Sequence, residues 1–567
     1  MWAGSRSRRP RLRCCLAGSW SSWACDLLCA APEEASRHRP VLARDKRGAP
    51  VALPVPNRMY VRPDVSVLEQ SGPWDPHVLA YAKAVAEMRS RPDTDPTSWS
   101  YQAAIHGTYT TPAQPDWNMC QHASWFFLPW HRQYIFCFEQ IVRSVVVSQG
   151  GPDDWALPFW NWEANRALPQ AFREQQLPDG SPNPLFTTHR ASALNAGNLL
   201  PAGAVDTRYA FSFADFSSPK QFDQGFGGGA EAPVHFGSLT GALEDQPHNV
   251  LHGLIGGSGS GACQGGWMTD PNCAAMDPIF YLHHANVDRL WGRWLHLGRT
   301  RVNPTDPAWL NAEFDFFDPG GNPVRGPVSQ VVSTRALNYR YSDDPPVVAL
   351  PKSLVSDRLP GPRPSLPALD KLFPKVPRPA PPPRPGPDPG PMRGGAGPVP
   401  VSESKVVELG TAPTTVSLEL GDEAVSALKG LREPEGPSLY VTIEDVQADR
   451  DPGLAYAVFV NDPDADEDES QFTEHYAGML SFFGLEHRLH HGGEGAHDHG
   501  PPVFVFDVSS LVPQLEDAGK WDPDQVTLTF VPAGLDPASG EGSRIPTYDD
   551  PAEVPSTRLG KVTLQAE

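Results

Sequence analysis

Two adjacent histidines lie between two aspartates in the stretch DPIFYLHHANVD, residues 277–288. Imidazole is the commonest protein ligand for copper, zinc and iron, and a carboxylate one helical turn away can hold the ring or its helix in place. The ordinary alternative is that both histidines form the polar end of a core helix. The remaining histidines of the chain decide between a metal site and that alternative.

Six histidines in the first 345 residues form two groups of three along the sequence. The first trio is His106, His122 and His131, and the second trio is His248, His252 and His284. His248 and His252 are four residues apart, so both can face one ion from a helix. A single H-x-x-x-H pair often arises by chance and faces solvent. Two trios in aromatic, apolar surroundings are far harder to attribute to chance, and they predict two metal sites.

Helices must carry these side chains, and several stretches have helical spacing of apolar residues. The predicted helices are 78–91, 131–147, 247–257 and 277–297. The last begins with its own signature, Asp277 as the N-cap and Pro278 at the first helical position. The segments between the helices are long and rich in Gly, Pro and Asn, and loops of that kind are usually functional or stabilised by something else, such as a metal centre.

The residues around the trios resemble the two copper motifs of tyrosinases, catechol oxidases and molluscan hemocyanins. HxxxxFLPWHR runs from His122 to Arg132 and is followed by Glu139, as in the first motif. DPxFYxxHxxxD runs from Asp277 to Asp288 and matches the second. The resemblance covers residues 56–345 and implies a mainly α catalytic domain, a four-helix bundle around a type-3 dicopper centre. Each of two copper ions, Cu-A and Cu-B, is then held by one trio.

The same resemblance implies roles for the neighbours of the ligands. His284 is the ligand of the HH pair, His283 lies beside it near the site entrance, and Phe280 and Asp288 support the ligand helix. Cys120 stands two residues before His122, where fungal tyrosinases and molluscan hemocyanins form a Cys–His thioether. The alternative for Cys120 is an ordinary buried cysteine.

The resemblance extends to a tyrosine motif at the end of the catalytic region. Tyr339 and Tyr341 are similar to the tyrosine motif that ends the catalytic domain of plant enzymes. That motif packs against an N-terminal arginine, for which Arg62 is the counterpart.

The implied reaction is the oxidation of o-diphenols to o-quinones by O₂, extended to the hydroxylation of monophenols as in tyrosinases. Hydroxylation requires a base, and Glu244 and Asn249 match the residues that hold a basic water in the family. The alternatives are a solvated loop acid for Glu244 and a helix N-terminal residue for Asn249. Residues 268–276 lack the bulky aromatic gate of several plant catechol oxidases, which also favours monophenol hydroxylation.

Other functions remain open at this stage. The chain could be a catechol or o-aminophenol oxidase without activity on monophenols, or a hemocyanin-like O₂ carrier. A zinc hydrolase is disfavoured, because paired zinc sites usually need a bridging carboxylate and neither trio has one.

The chain has four predicted regions. They are an N-terminal extension or export signal (1–55), the catalytic domain (56–345), a Pro-rich linker (346–400) and a C-terminal domain (401–567). Short alternating strands in the last region predict an all-β sandwich similar to the C-terminal domain of plant polyphenol oxidases. We expect this domain to shield the site in a latent enzyme, with Phe482 and Phe483 as candidate plugs; ordinary core residues are the alternative.

Composition limits the partners. The 567 residues carry 46 Lys and Arg against 67 Asp and Glu, a formal charge of −21, which argues against nucleic acid and anionic membranes. Expected partners are a phenolic small molecule and O₂, with a copper-delivery protein left open. The basic N-terminus loosely resembles a twin-arginine signal, so both cytoplasmic and exported locations stay open. Cys263 and Cys273 could pair, but a reduced compartment fits the cysteines equally well.

Overall fold

A computed structural model describes most of the chain from residue 50 onward. The described residues are 50–218, 220, 222–258, 263, 266–298, 300–344, 399–403, 406–418, 437–448, 451–466, 475–485, 503–521, 526–535 and 557–567. The basic N-terminal motif and nearly all of the predicted Pro-rich linker lie outside these residues. Within the described ranges, no helix combines the length and apolar character needed to cross a membrane.

The described region before residue 313 contains helices joined by long loops. Their bounds are α1 Val65–Leu68, α2 Pro76–Ser90, α3 Trp99–His106, α4 Phe127–Ser148, α5 Gln170–Arg173, α6 Ser192–Ala196, α7 Arg208–Ser212, α8 Val250–Gly256, α9 Ile279–His296 and α10 Pro307–Leu310. The three longest predicted helices correspond to α2, α4 and α9. Helix α9 begins one residue later than predicted, while Asp277 still caps it by accepting a hydrogen bond from the Ile279 amide at 3.1 Å.

The short predicted helix at 247–257 differs from the structure at its start. A π-helical turn, Glu244–Asn249, precedes α8, and Gln246 inside it has extended backbone angles. Pro247 lacks an amide hydrogen and disfavours a helical conformation in the residue before it, so the regular helix starts only at Val250. His248 therefore stands in this turn, and His252 on the helix proper.

Two small sheets pair strands from the beginning and the end of the helical region. Strands β1 Val51–Ala52, β3 Glu313–Phe317 and β4 Pro323–Pro327 form one sheet in the order β1-β4-β3. The first of these strands falls inside the predicted N-terminal extension, yet it pairs with β4. Strands β2 Tyr60–Arg62 and β5 Tyr339–Tyr341 form a parallel pair. Through this pair the beginning and the end of the region lie side by side.

In its described residues, the C-terminal region consists mainly of antiparallel strands in two sheets. The strand bounds are β6 Val399–Glu403, β7 Val407–Leu409, β8 Thr414–Leu418, β9 Leu439–Ala448, β10 Ala455–Val460, β11 Tyr476–Leu480, β12 Phe504–Asp507, β13 Val526–Ala533 and β14 Thr557–Ala566, and helix α11 is Leu511–Asp517. One sheet has the order β11-β10-β13-β8 and the other β12-β9-β14-β6, with β7 also paired to β14. Apolar residues of both sheets share a buried cluster that includes Val441, Val458 and Phe530.

The two regions share part of their cores. Ala455, Met479 and Leu535 of the C-terminal sheets belong to the same buried cluster as the helices. Polar contacts accompany this packing: the Tyr476 hydroxyl donates to Gln246 Oε1 at 2.7 Å, and Gln224 Nε2 donates to the Val505 carbonyl at 2.9 Å. The C-terminal region therefore rests on the turn that carries His248.

A buried ion network joins the parallel strand pair to the long helices. Arg62 Nε lies 2.6 Å from Glu139 of α4, and Arg62 Nη1 lies 3.2 Å from Asp288 of α9. Asp288 also pairs with Arg132 and accepts a hydrogen bond from the Tyr339 hydroxyl at 2.7 Å. The predicted packing of Arg62 on the tyrosine motif is confirmed, since its guanidinium carbon lies 3.9 Å from the ring centre of Tyr339.

Asp288 is the shared acceptor of this network, and its charge is favoured by its neighbours. Burial acts to raise the pKa of Asp288, but Arg132 and Arg62 hold it below its ordinary value. We expect Asp288→Ala to lower the free energy of unfolding at neutral pH by about 3–5 kcal/mol, because two buried guanidinium groups lose their shared carboxylate. Urea unfolding measures this difference directly.

A matched control is Asp315→Ala, which removes the partner of Arg325 in an ion pair where both side chains are partly exposed, and it should cost about 0–1 kcal/mol. The stabilisation from Asp288 should be constant above about pH 4, the pKa of an unfolded aspartate, and decline as the pH falls through the lower pKa of the folded state. Equal losses in the two variants, or a loss that persists unchanged at low pH, would contradict this assignment.

Candidate metal centre

The first trio converges from one helix end, one loop and one helix start. His106 is the last residue of α3, His122 lies in the loop that follows, and His131 is in the second turn of α4. Their ring centres are 5.2–5.5 Å apart, and all three side chains are buried. Backbone bonds from His122 to His235 and Gly237 hold this part of the loop against the segment near residue 236.

The second trio lies against the first. The ring centres of His248, His252 and His284 are 4.5–5.5 Å apart. His284 Nε2 is 3.4 Å from the Nε2 atoms of both His248 and His252. The rings of His131 and His284 stack at 4.4 Å with an angle of 5°. The structure thus brings all six predicted histidines into one buried cluster of two adjoining trios.

Hydrogen bonds fix the orientation of most of these rings. Nδ1 of His106, His131 and His252 lies 2.7–2.8 Å from the carbonyl oxygens of Pro271, Phe127 and Met268, respectively. A carbonyl oxygen only accepts, so each Nδ1 carries the proton and each Nε2 keeps its lone pair. His248 Nδ1 is held in the same way by Asn249 Oδ1 at 2.9 Å. This is how metal-binding imidazoles are oriented in proteins.

Electrostatics keep the six rings uncharged. Burial lowers the pKa of every histidine in both trios, and it lowers that of His131 to about 3. The buried Nε2 atoms of His106, His122 and His131 have no hydrogen-bond partner among the described residues. Neutral nitrogen donors that lack a partner are costly to bury unless something binds them. The Nε2 atoms of the second trio face one another at 3.4 Å, and two sets of three neutral imidazoles fit a pair of copper ions.

Aromatic rings surround the cluster. Phe280 lies between the trios, with its ring centre 4.9 Å from that of His106 and 4.2 Å from that of His284. Phe127 is 4.6 Å from both His131 and His248 by the same measure. These contacts exclude water from the donors and restrict ring rotation.

His283, which the sequence analysis placed near the site entrance, lies beside the second trio. The side chain is completely buried, and its ring centre is 5.3 Å from that of His248 and 5.0 Å from that of His252. Neighbouring residues on α9 point about 100° apart, and in this tightly packed unit both directions lead into the interior. Asp288, one turn after His284, faces the Arg62 network and not the trios.

Glu244 and Asn249 stand at the two ends of the π-helical turn that carries His248. Glu244 is buried, and its Oε1 accepts a hydrogen bond from the Ala123 amide, next to His122, at 2.8 Å. The side-chain oxygen of Asn249 is engaged by His248, which leaves its amide nitrogen to bind another group.

Cys120 has a buried thiol near the first trio. Its sulfur and the nearest nitrogens of His106 and His122 lie within 4.8 Å of one another. The sulfur is also 3.4 Å from Nδ1 of His235, a residue that the sequence analysis did not single out. Burial, and then the charge of Glu244, raise the pKa of this thiol well above its ordinary value.

The tip that follows β11 covers the cluster. The ring centre of Phe483 is 4.2 Å from that of His252, and 5.7 Å from those of His248 and His122. Phe482 points the other way, into the core of the C-terminal sheets, where it meets Tyr456 at 5.9 Å. Of the two predicted plug residues, only Phe483 faces the histidines.

Sequence reasoning missed several neighbours of the trios. Phe236 stacks on His122 with ring centres 5.2 Å apart and an angle of 17°. It comes from a Gly- and Pro-rich loop in which no periodic pattern marks a buried position. The carbonyls of Met268 and Pro271 were missed as well, because a backbone oxygen leaves no mark on residue identity. The pairing of Cys263 with Cys273, left open above, is present as a disulfide.

Three family models match successive parts of this chain. Residues 96–297 match the common central domain of tyrosinase, and residues 303–349 match the polyphenol oxidase middle domain. Residues 400–540 match a domain of unknown function, DUF7868. The first match contains both trios, and the third falls on the C-terminal sheets.

Curated relatives agree with these models over most of the chain. Tyrosinase HcTyr1 of Hahella sp. is 32% identical over 491 residues, which cover 80% of this chain and 92% of the relative. The chloroplastic polyphenol oxidase of Malus domestica is 28% identical over 520 residues, covering 85% of this chain and 76% of the relative. Among solved structures, latent apple tyrosinase covers 91% of this chain with a TM-score of 0.53 at 21% identity, a likeness of fold.

Together, these matches define the class of protein as a type-3 copper oxidoreductase. The chain belongs to the tyrosinase and polyphenol oxidase family. Proteins of this family bind a dicopper centre and act on phenols with O₂, and the histidine cluster offers the donors that such a centre needs.

Proposed function

We propose that this protein is a copper-dependent phenol oxidase that uses O₂ to oxidise o-diphenols to o-quinones and to hydroxylate monophenols. The first trio would hold Cu-A and the second trio Cu-B. The observation that supports this proposal is the pair of adjoining, buried trios of neutral imidazoles. The Nε2 atoms of the first trio have no partner among the described residues, and those of the second trio face one another.

The architecture that goes with this function is a catalytic domain at 56–345 with a four-helix bundle around the metals. A linker at 346–400 and a shielding β-sandwich at 401–567 would complete the chain. The support is that α3, α4, α8 and α9 or the turns beside them carry five of the six histidines, and that both C-terminal sheets share one apolar core.

When bound, the copper pair supplies the exchange of electrons between O₂ and the phenol. The residues of the chain set the conditions for that exchange. Carbonyl oxygens of Phe127, Met268 and Pro271 hold three rings with Nε2 turned inward. Phe127, Phe280 and Phe236 exclude water and provide flat apolar surface, which suits an aromatic substrate.

The first experiment loads the full chain with copper, measures metal content, and follows O₂ uptake with a catechol after a protease has nicked the linker. We expect two copper ions per chain and rapid uptake with quinone colour. His284→Ala should lose a copper ion and nearly all uptake, because one trio is broken. His296→Ala changes an exposed histidine on the same helix, α9, and should behave as the wild type.

Two results would contradict this proposal. Loss of copper and activity in both histidine variants would show that the effect is not specific to the trios. Reversible O₂ binding without any uptake by the wild-type protein would favour the hemocyanin-like carrier.

We also propose that Glu244 and Asn249 hold a water that accepts the proton of an incoming monophenol. Glu244 is buried beside the first trio's loop, and Asn249 keeps its amide nitrogen available next to His248. A base of this kind must be within hydrogen-bond reach of the phenol, directly or through one water. An o-diphenol oxidase without monophenol activity is the second candidate, and the observation that favours it is the use of Asn249 Oδ1 by His248.

Glu244→Gln separates these two candidates, because glutamine retains an acceptor for the Ala123 amide but cannot carry the charge. Under the first candidate, turnover of a monophenol should fall by about 10²–10⁴-fold while oxidation of the diphenol persists. Glu231→Gln is the matched control, a half-buried carboxylate bonded to Ser238 on a neighbouring loop. Equal monophenol activity in the Glu244→Gln variant and the wild type would rule out the basic role.

Phe483 is proposed as the plug of a latent form, since its ring lies against histidines of both trios. Phe483→Ala should raise O₂ uptake by the uncut chain towards that of the nicked wild type, because the ring no longer excludes the substrate. Phe482→Leu is the control: it changes the core of the C-terminal sheets and should lower their stability without relieving latency. If Phe483→Ala is as latent as the wild type, the cover acts through other contacts.

Cys120 is kept as the proposed thioether partner of His122. Its sulfur is already within 4.8 Å of the nearest His122 nitrogen, and a covalent bond would fix the ring that has no hydrogen bond at either nitrogen among the described residues. An ordinary buried cysteine remains the alternative.

A further inference from the structure

One short segment of backbone touches both trios. This segment, residues 266–273, is called here the carbonyl segment. Its Met268 carbonyl accepts from Nδ1 of His252 in the second trio at 2.7 Å, and its Pro271 carbonyl accepts from Nδ1 of His106 in the first trio at 2.8 Å. Two rings from different metal sites are therefore oriented by oxygens three residues apart.

Internal hydrogen bonds give the carbonyl segment a fixed shape. A 3-10 turn, Trp267–Thr269, opens it, and the Thr269 hydroxyl donates to the Gly266 carbonyl at 2.8 Å. Asp270 then organises the second half: its side chain accepts from the Asn272 amide at 2.9 Å and from the Tyr109 hydroxyl at 2.8 Å. The two carbonyls thus belong to one ordered unit.

Two glycines allow the carbonyl segment to pack closely against the helices that carry His106 and His252. Gly107 directly follows His106, and a Cβ built on it would lie 2.6 Å from the Pro271 oxygen. Gly256 ends α8, one turn after His252, and a Cβ there would lie 2.6 Å from the Thr269 amide nitrogen. Contacts this close mean that a shift of the carbonyl segment must move the rings or break their hydrogen bonds.

A disulfide closes the segment on itself. Cys273 is the last residue of the carbonyl segment, and its partner Cys263 is ten residues earlier, with Cα atoms 5.6 Å apart. The bond therefore encloses both Met268 and Pro271 in a small covalent ring. Such a bond restricts the conformations that the enclosed backbone can reach when it is not held by other contacts.

We propose that the Cys263–Cys273 disulfide is a positioning element for both metal sites, which fixes the Met268 and Pro271 carbonyls and thereby sets how tightly both copper ions are retained. This inference rests on the proposed function, because it takes the two trios as the copper ligands. It assigns no role in the reaction itself to either cysteine. Its consequence is that one covalent bond controls two ions held by different helices.

The test measures copper release from the full, copper-loaded chain to an excess of a chelator, with metal content read by mass spectrometry. In Cys263→Ser/Cys273→Ser, release of both copper ions should become about 10- to 100-fold faster, the usual effect of losing a group that orients a ligand. A role in global stability alone would lower the melting temperature without changing release from the folded protein, and that result would overturn the proposal.

Val142→Ala controls for general destabilisation. This buried residue lies on α4 eleven positions beyond His131, about 16 Å along the helix, so that its truncation makes a cavity well removed from His131. It should lower the melting temperature while copper release below that temperature stays as in the wild type. Faster release in this variant, equal to that of the double variant, would also overturn the proposal.

Gly107→Ala provides a second test that leaves the disulfide in place. The new methyl group displaces the Pro271 carbonyl, so the copper of the first trio should be released faster than that of the second. Unchanged release from the first trio would contradict the positioning role of Pro271. A wild-type protein that takes up no stoichiometric copper would overturn the proposed function together with this inference, whereas normal wild-type uptake with unchanged variants overturns the inference alone.

Discussion

The structure depends on one constraint, which is that six imidazoles must be buried together while staying neutral and correctly turned. Water normally satisfies both ring nitrogens, and its removal penalises the charged form of each histidine. Backbone carbonyls of Phe127, Met268 and Pro271 replace that water at one nitrogen only. The other nitrogen keeps its lone pair, and a metal ion is the group that best compensates for the lost water there.

Meeting this constraint requires rigid supports on both sides of the cluster. Arg132 immediately follows His131 on α4, and Asp288 stands one turn after His284 on α9, so their ion pair locks together the two helices whose histidine rings stack. Arg62 and the tyrosine motif join the beginning and the end of the helical region to the same ion network. A buried ion network is expensive unless all its members are satisfied, and here its geometry also fixes the spacing of the trios.

Sequence alone predicted those parts of the site that depend on residue type and spacing. The HxxxxFLPWHR and DPxFYxxHxxxD spacings located α4 and α9, and with them His122, His131 and His284. It failed where backbone geometry decides. The π-helical turn at Glu244–Asn249 follows from Pro247 in a context that periodicity does not reveal, and the carbonyls of the carbonyl segment carry no residue signature.

The sequence also could not predict the direction in which neighbouring side chains point. Phe482 and Phe483 are equivalent in composition, yet they leave the end of β11 towards opposite sides, one into the sheet core and one onto the histidines. His283 and His284 were distinguished only by resemblance, and both proved to be buried. The direction in which each of two neighbouring side chains points depends on the local backbone conformation, and tertiary packing fixes that conformation.

The C-terminal region contacts the same backbone that holds the second trio. The Ser481 hydroxyl donates to the Asn249 carbonyl at 2.9 Å, and the Gly484 amide donates to the Thr269 carbonyl in the carbonyl segment at 3.3 Å. Phe483 lies between these two bonds in the chain and reaches His252. In the latent form proposed above, this cover would do more than block access, because the Thr269 carbonyl that it contacts is next to the Met268 carbonyl that orients His252. Latency and ligand geometry would then be linked through residues 249–269, and after removal of the cover the disulfide and Asp270 would keep that backbone in place.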